Sequence, residues 1–244
     1  MSNQNDSRMP HQTTAPSWPE VFARLASEAT DPRLKMFYRA GCVAPETPVA
    51  EVPLVAMDFE TTGLDPNQHS IVSIGLVPMS LGRIYSRDAR HWVVRPPLPL
   101  HQQSVTIHGI THTEIDQAPD LADIIGDLLS ALAGKVVIVH HRGIERPFLD
   151  VAMQWRLSEG IQFPVIDTMA IEAQVNPRRQ PGWFRRLRGQ QPLSIRLPDS
   201  RTRYGLPHYA PHHALSDALA SAELFQAQVQ HHFSPQTPIG ELWY

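Results

Sequence analysis

The sequence contains one cysteine, Cys42, among its 244 residues. A single thiol excludes an internal disulfide framework and any zinc site built from several cysteines. No apolar run approaches the length needed to span a bilayer, and the first residues lack the apolar segment that a secretory signal requires. We therefore expect a soluble protein of the reducing cytoplasm that does not bind membranes.

The chain also lacks an overall excess of positive charge, because 24 Asp and Glu outnumber 21 Lys and Arg and the formal net charge is −3 at pH 7. This value argues against a protein coated with nucleic acid. Eight arginines and one acid, Asp199, lie between Arg178 and Arg203, so this segment alone carries eight positive charges less one negative, about +7. Arginine donates two parallel hydrogen bonds to phosphate, which makes Arg185 and Arg186 candidate nucleic-acid contacts. The prolines and glycines of the segment fit a solvated loop as well.

Hydrophobic residues are sparse at the start of the chain, which predicts a disordered N-terminus over residues 1–17. Residues 18–52 begin with helical spacing that is interrupted by a proline, and they predict two short helices followed by a proline-rich linker. This extension could contact a partner, or it could pack on the main domain. We assign the main domain to residues 53–232 and a C-terminal tail to residues 233–244.

The main domain alternates between strand and helix patterns. Three strands joined by short turns come first and suggest an antiparallel meander. The later strands alternate with helices, and this order predicts an α/β fold with a mixed central sheet, in which the meander is joined by parallel strands and flanked by helices. The predicted strands start near Pro53 and span 71–77, 84–94, 135–140 and 163–166, and the predicted helices span 118–132, 143–157 and 213–231.

Two acids lie together at the end of the first predicted strand. Asp58 and Glu60 follow an apolar run, and residues two apart in a strand point to the same side. Two carboxylates held close repel, and partial burial removes the water that would weaken the repulsion. A cation between them would relieve it. The alternative is an exposed strand end, at which each acid is solvated or caps the next turn.

Five short motifs follow one another along the main domain. They are DFETTGL (58–64), IHGIT (107–111), HHRGIERPFLD (140–150), IDT (166–168) and HHALSDALASAELF (212–225). In these motifs the chain resembles the DEDD exonucleases, and more narrowly the histidine-bearing branch related to the epsilon proofreading subunit of DNA polymerase III. The resemblance covers residues 53 to about 230. One such motif would be weak evidence, whereas five in the right order and spacing are strong evidence.

The resemblance implies a ribonuclease H-like fold, two divalent metal ions and removal of nucleotides one at a time from a 3′ end. Two metals about 3.5–4 Å apart serve phosphodiester hydrolysis because they stabilise the attacking and leaving oxygens and the charge between them. Oxygen ligands favour Mg²⁺ or Mn²⁺ over zinc. The acids implied as ligands and catalytic groups are Asp58, Glu60, Glu145 and Asp217.

The last motif offers two neighbouring histidines as the general base. Imidazole titrates near the working pH and can take a proton from the attacking water. The family pattern selects His212, five residues before Asp217, and leaves His213 at a variable place. Without that pattern the sequence favours neither histidine.

The second acidic motif departs from the family at one position. Glu145 occurs where the family has its third aspartate, and its extra methylene moves the carboxylate about 1.5 Å further out. We expect Glu145 to be a ligand nonetheless, with reduced activity, a shifted metal preference or one loosely bound metal. The alternative is a surface acid that pairs with Arg142 or Arg146.

The resemblance also implies a pocket for the terminal nucleotide. It makes Leu64 a wedge against the base and His108 a residue of the lining. For Leu64 and His108, packing in the core is an equally good interpretation. Asp167 matches a position whose role is mainly structural, so it is left out of the metal ligands. The implied pocket floor consists of Phe59, Thr61, Thr62 and Gly63.

We therefore expect a metal-dependent 3′–5′ exonuclease that releases nucleoside 5′-monophosphates from DNA, with single strands as the first candidate substrate. An exoribonuclease acting on short RNA is the close alternative, because no residue decides whether a 2′-hydroxyl is excluded. A catalytically weakened nucleic-acid-binding module is the other, although such a module has no use for His212 as a base. A DNA polymerase, a repair complex or a second copy of the chain remain candidate partners.

Overall fold

The computed structural model of the protein describes residues 17–97, 110–176 and 193–244. The predicted disorder before residue 17 and the predicted contacts by His108, Arg185 and Arg186 lie outside these residues. Within the three described ranges, none of the helices combines the length and the apolar character that crossing a membrane demands.

A six-stranded mixed sheet is the centre of the fold. The first two strands pair antiparallel, and the first, fifth and sixth strands pair parallel to one another. The third and fourth strands both pair antiparallel with the second, so the order across the sheet is β3-β2-β1-β5-β6, with β4 beside β2. The strands are β1 Leu54–Thr61, β2 Ile71–Ser80, β3 Arg83–Ile84, β4 Arg90–Val93, β5 Val136–Val139 and β6 Val165–Asp167.

Eight helices surround this sheet in the described part of the chain. The longest, α8, contacts β1, β2 and β5, and α5 contacts β1, β2 and β6. Apolar residues from the sheet and from both helices belong to one buried core. The helices are α1 Trp18–Glu28, α2 Pro32–Arg39, α3 His112–Gln117, α4 Leu121–Leu132, α5 Arg142–Leu157, α6 Thr168–Val175, α7 Leu197–Arg203 and α8 Ala214–His232.

The structure adds helices α6 and α7, which the sequence patterns did not predict, and it differs from two of the predicted elements. The predicted strand 84–94 is two short strands, β3 and β4, because a 3-10 turn at Ser86–Asp88 separates them. The predicted helix 118–132 starts later, since Asp120 caps α4 by accepting a hydrogen bond from the Ala122 N–H at 2.8 Å. A separate short helix, α3, precedes Pro119.

The extension and the C-terminal segment pack on the main domain and on each other. Aromatic rings of α1 and α2 meet around Phe22, whose centroid lies 5.3 Å from that of Tyr38, and the Tyr38 hydroxyl accepts a hydrogen bond from the Gln162 N–H. Residues 45–50 and 235–240 exchange main-chain hydrogen bonds. Trp243 is buried and bridges to β6, so the segment predicted as a tail contributes to the core.

Candidate active site

The first strand brings Asp58 and Glu60 to the end of β1 that faces the start of α8. A β-bulge follows Glu60 in the pairing with β2, which ends the regular ladder at this point. Glu60 is only 5% exposed and Asp58 is half-buried. The alternative in which both acids lie at a solvated strand end therefore does not describe this structure.

Helix α8 supplies the third acid because a glycine lets it approach the sheet. Gly75 pairs with Asp58 across β1 and β2, and a Cβ atom added at Gly75 would lie 2.3 Å from the main chain of Ala214, the first residue of α8. Asp217 lies in the first turn of this helix. As a result, carboxylate oxygens of Asp58, Glu60 and Asp217 all lie within 4.8 Å of one another.

Burial and mutual repulsion both oppose ionisation of the acids in this cluster. Burial raises the pKa of Asp58 well above its usual value, and the negative charges of Glu145, Asp217 and Glu60 raise it further. Burial also raises the pKa of Asp217, although the main-chain hydrogen bond from His212 opposes the shift. Carboxylates whose neighbours resist their ionisation form a site that a divalent cation would stabilise.

Glu145 lies in the same cavity, but its oxygens are outside the compact group of three. It is 4% exposed in the first turn of α5, and burial raises its pKa to about 8. Its Oε2 atom is buried and has no hydrogen-bond partner in the described part of the chain. An unpaired buried carboxylate oxygen, together with three more acids, fits hard divalent cations such as Mg²⁺ or Mn²⁺.

The surface ion pair considered for Glu145 is wrong. Arg142 instead pairs with Asp167, with 3.1 Å between Nη1 and Oδ2, and its guanidinium lies 3.8 Å from the ring centroid of Tyr244. Arg146 donates to the main-chain oxygens of Phe163 and Tyr244. Asp167 also caps α6, which agrees with its expected structural role.

The two candidate histidines occupy different environments. His212 is exposed and lines the cavity, and its main-chain N–H donates to Asp217 Oδ2 at 2.9 Å. Its φ of 66° is in the left-handed region, which few residues other than glycine adopt. His213 caps α8 through the Ser216 N–H, and its ring lies 4.8 Å from that of His91. The geometry therefore favours His212 as the base.

The cavity around these groups has a volume of about 720 Å³. The predicted pocket residues Phe59, Thr61, Thr62, Gly63 and Leu64 all line it. Leu64 is 81% exposed, so packing in the core does not explain this residue. The Thr61 hydroxyl donates to the main-chain oxygen of Gly63 at 2.7 Å, which holds the turn of the first motif in shape.

The arginine-rich segment is less uniform than its charge suggests. Arg201 forms an ion pair with Glu223 and Arg203 forms one with Glu172, and one partner of each pair is buried, so these two guanidiniums are held within the fold. Arg196, by contrast, lines the cavity. Arg196 is not among the contacts predicted from the sequence, because nothing in the sequence distinguishes it from the other seven arginines of the segment.

Several known proteins are similar to this chain over most of its main domain. A sequence model of the Exonuclease family (RNase_T) matches residues 55–225. The chain is 27% identical over 171 residues to "DNA polymerase III PolC-type" of Thermotoga petrophila, a match that covers 70% of this chain and 11% of the relative. It is 26% identical over 181 residues to "DNA polymerase III subunit epsilon" of Treponema pallidum, a match that covers 74% of this chain and 78% of the relative. The chain thus spans about a tenth of the PolC-type relatives that it matches.

Solved structures of other proteins have a fold similar to that of this chain. The nuclease domain of 3′hExo, a DEDDh family member bound to rAMP, has a TM-score of 0.59 at 17% identity, over 74% of this chain and 92% of that one. Exonuclease X in complex with 5′ overhanging duplex DNA has a TM-score of 0.56 at 21% identity, over 78% of this chain and 98% of that one. These similarities confirm the α/β ribonuclease H-like fold.

Proposed function

The chain belongs to the exonuclease family. On that premise we propose that its domain is of the histidine-bearing DEDD type and uses two divalent metal ions to release nucleoside 5′-monophosphates from the 3′ end of DNA, preferring single strands. The observation that carries this proposal is the acidic cavity. Its compact group of three carboxylates, the unpaired Glu145 oxygen and the exposed His212 supply the parts that such hydrolysis requires.

The metal ligands in this proposal are Asp58, Glu60, Glu145 and Asp217. Divalent ions bound there would supply Lewis-acid stabilisation of the charge that develops on the phosphate and on the leaving oxygen. The acids come from three separate elements, β1, α5 and α8, and each element is held by the core. Mg²⁺ and Mn²⁺ are the ions proposed, since the cluster offers oxygen donors alone.

His212 is proposed to take the proton from the attacking water. Its ring is solvent-exposed at the cavity, so it can exchange the proton with bulk water after each cycle. The hydrogen bond from its main chain to Asp217 fixes where the residue lies relative to the acids. A general base at this position contributes about 10²–10⁴-fold to the rate in comparable enzymes.

The terminal nucleotide is proposed to occupy the part of the cavity lined by residues 59–64. Exposed Leu64 would contact the base, and the turn at Gly63 would allow close approach of the nucleotide. His108, Arg185 and Arg186 are kept as proposed substrate contacts on the sequence alone. The proposed exonuclease domain spans residues 53–232, to which residues 18–52 and 233–244 add structural support.

DNA is the first candidate because the names of the matched relatives refer to DNA polymerase III. RNA is the second candidate, since one similar fold is described as bound to rAMP and another as recognising a histone mRNA stem-loop. The names of the relatives likewise suggest a polymerase as a partner, and a repair complex or a homodimer remains an alternative.

A binding module without turnover is less well supported. Glu145 replaces aspartate in the family pattern, yet it is buried beside the other acids with a raised pKa and makes no surface ion pair. A protein that only bound nucleic acid would gain nothing from burying a fourth acid at this place, because that acid repels phosphate.

The test follows mononucleotide release from single-stranded DNA and RNA labelled at the 3′ or the 5′ end, with Mg²⁺, Mn²⁺ or EDTA. The wild-type protein should shorten the 5′-labelled strand in single steps from the 3′ end, and EDTA should stop the reaction. The Glu145→Asp variant reports whether glutamate lowers the rate. Degradation by the variant but none by the wild type would support the binding module instead.

A further inference from the structure

Residues 193–209 contain the last three arginines of the arginine-rich segment, and part of this stretch lines the acidic cavity. Helix α7 lies within residues 193–209, which we call the arginine wall. Three consecutive residues at the start of α7 line the cavity: Arg196, Leu197 and Pro198. They stand in the same lining as the carboxylates of Asp58 and Asp217.

Buried ion pairs fix the arginine wall to the rest of the domain. Arg201 is 3% exposed, and its guanidinium donates to Glu223 Oε2 at 2.7 Å and to the Ala220 main-chain oxygen at 2.6 Å, both on α8. Arg203 Nε donates to Glu172 Oε1 at 2.8 Å, on α6. Because two helices hold the wall, its position relative to the acids is set by the fold.

A third attachment lies next to Arg196 itself. The main-chain oxygen of Ile195 is 3.1 Å from His140 Nε2, and the other ring nitrogen of His140 is 2.8 Å from Thr168 Oγ1. His140 follows β5, so this contact joins the wall to the sheet one residue before Arg196. The main chain that carries Arg196 is therefore held on both sides.

The charge of Arg196 is not used within the described part of the chain. Its guanidinium forms no ion pair or hydrogen bond with the described residues, although four carboxylates share its cavity. Burial lowers the pKa of His140 to about 4, so this histidine is neutral near pH 7. Arg196 is then the one permanent cation among the described residues that line the cavity.

We propose that Arg196 binds a phosphodiester phosphate of the substrate strand, either the scissile phosphate or the neighbouring one. A guanidinium matches two phosphate oxygens with parallel hydrogen bonds, and a strand that enters an acidic cavity needs a cation from the protein as well as from any bound metal. Arg201 and Arg203 position Arg196 through the wall and do not contact the phosphate. This inference rests on the proposed function, which supplies the nucleic acid.

The test compares Arg196→Gln with Arg87→Gln, a matched loss of charge at the far end of the sheet. Arg87 is exposed near Tyr85 and Asp88, which line a different cavity beside the start of β1. Arg196→Gln should lower kcat/KM for single-stranded DNA by about tenfold or more, since it removes a charge-assisted hydrogen bond. The slope of log Kd against log salt should fall by about 0.7, the value for one phosphate on a single strand.

Two further measurements separate this contact from a structural role. The thermal unfolding of Arg196→Gln should match that of the wild type, because the side chain has no partner to lose among the described residues. Arg196→Lys should restore the salt slope, because lysine has the same charge. It should restore only part of the affinity, because an ammonium group cannot form the two parallel hydrogen bonds of a guanidinium. A misfolded variant would also have a lower melting temperature, so a lowered salt slope at an unchanged melting temperature indicates the loss of a phosphate contact.

Two substrates then distinguish the phosphates. The 5′-p-nitrophenyl ester of thymidine monophosphate contains only the scissile phosphodiester, whereas an oligonucleotide contains the neighbouring one too. A loss on both substrates identifies the scissile phosphate, and a loss on the oligonucleotide alone identifies its neighbour. Wild-type kinetics and salt slope for Arg196→Gln on both substrates would overturn the inference.

The same experiment separates this inference from the proposed function. If the wild type cleaves neither substrate with Mg²⁺ or Mn²⁺, the proposed function fails. Binding of a 5′-fluorescein-labelled dT oligonucleotide, followed by anisotropy in EDTA, then decides the contact. A tenfold weaker Kd for Arg196→Gln supports it, and equal Kd values or no binding by the wild type refute it.

Discussion

Glu145 should destabilise the metal-free protein at neutral pH, and Glu145→Gln should relieve this effect. Burial raises the pKa of the carboxyl from 4.5 to about 8. A group whose pKa is higher in the folded state binds its proton more tightly there than in the unfolded chain. The free energy of unfolding therefore falls as the pH rises from about 4.5 towards 8, the window in which the unfolded chain has lost the proton that the folded state retains.

The size of the effect follows from the shift. Between pH 4.5 and pH 7 the folded protein loses up to about 1.4 kcal/mol of stability per pH unit, which gives roughly 3 kcal/mol as an upper value. For a chain of this length, that free energy corresponds to about 6–12 °C in Tm. Glutamine keeps the shape of the side chain and has no proton to lose, so this part of the pH dependence should disappear in the variant.

The assay is chemical or thermal unfolding in EDTA at pH 5, 7 and 8, with Glu46→Gln as the matched control. Glu46 is exposed in a turn and forms no ion pair within the described residues. The Glu145→Gln variant should be more stable than the wild type at pH 7 and about equally stable at pH 5. Identical pH profiles for the two proteins, or a variant that is less stable at pH 7, would refute the reasoning.

Three further substitutions test the remaining parts of the site. Asp58→Ala should abolish nucleotide release and should raise Tm in EDTA, because it removes a carboxyl whose pKa is raised by burial and by its neighbours; a wild-type rate would contradict the metal assignment. His212→Ala should lower kcat by about 10²–10⁴-fold, because it removes the proposed base. His213→Ala should mainly lower stability, by about 1 kcal/mol, through loss of the α8 cap. Steady-state rates and urea unfolding of the two variants distinguish these roles. Gly75→Ala should push α8 away from β2, lower the stability by about 1–3 kcal/mol and lower activity. Unchanged unfolding and rates would show that the contact with Ala214 is not tight.

The sequence predicted the parts of the site that depend on local pattern. Asp58 and Glu60 could be assigned to one side of a strand end because the strand period is short and the apolar run before them is clear. The alternation of strands and helices likewise sufficed for the fold class. The boundary errors at residues 84–94 and 118–132 arose where a 3-10 turn and a helix cap interrupt otherwise suitable patterns.

Contacts between distant parts of the chain could not be predicted in the same way. The pairing of residues 45–50 with 235–240 joins segments that have no common local signal, so they were interpreted as a linker and a tail. The arginines posed the same difficulty. Arg196 and Arg201 look alike in sequence, and only the position of Glu223 next to Arg201 in the fold shows which guanidinium already has a partner.

The repulsion among the acids and the rigidity of their supports have a joint consequence for cation binding. Asp58 lies on a strand that is paired on both sides, and Glu145 and Asp217 lie in the first turns of helices packed in the core, so the carboxylates cannot relax apart. In a thermodynamic cycle, a cation that binds the ionised carboxylates restores the free energy that their burial and repulsion remove from the metal-free fold. If Glu145→Gln leaves the metal-loaded fold unchanged in stability, the roughly 3 kcal/mol gained without metal must appear as about 100-fold weaker cation binding. The stability of the empty site and its affinity for metal are therefore two measurements of the same interaction.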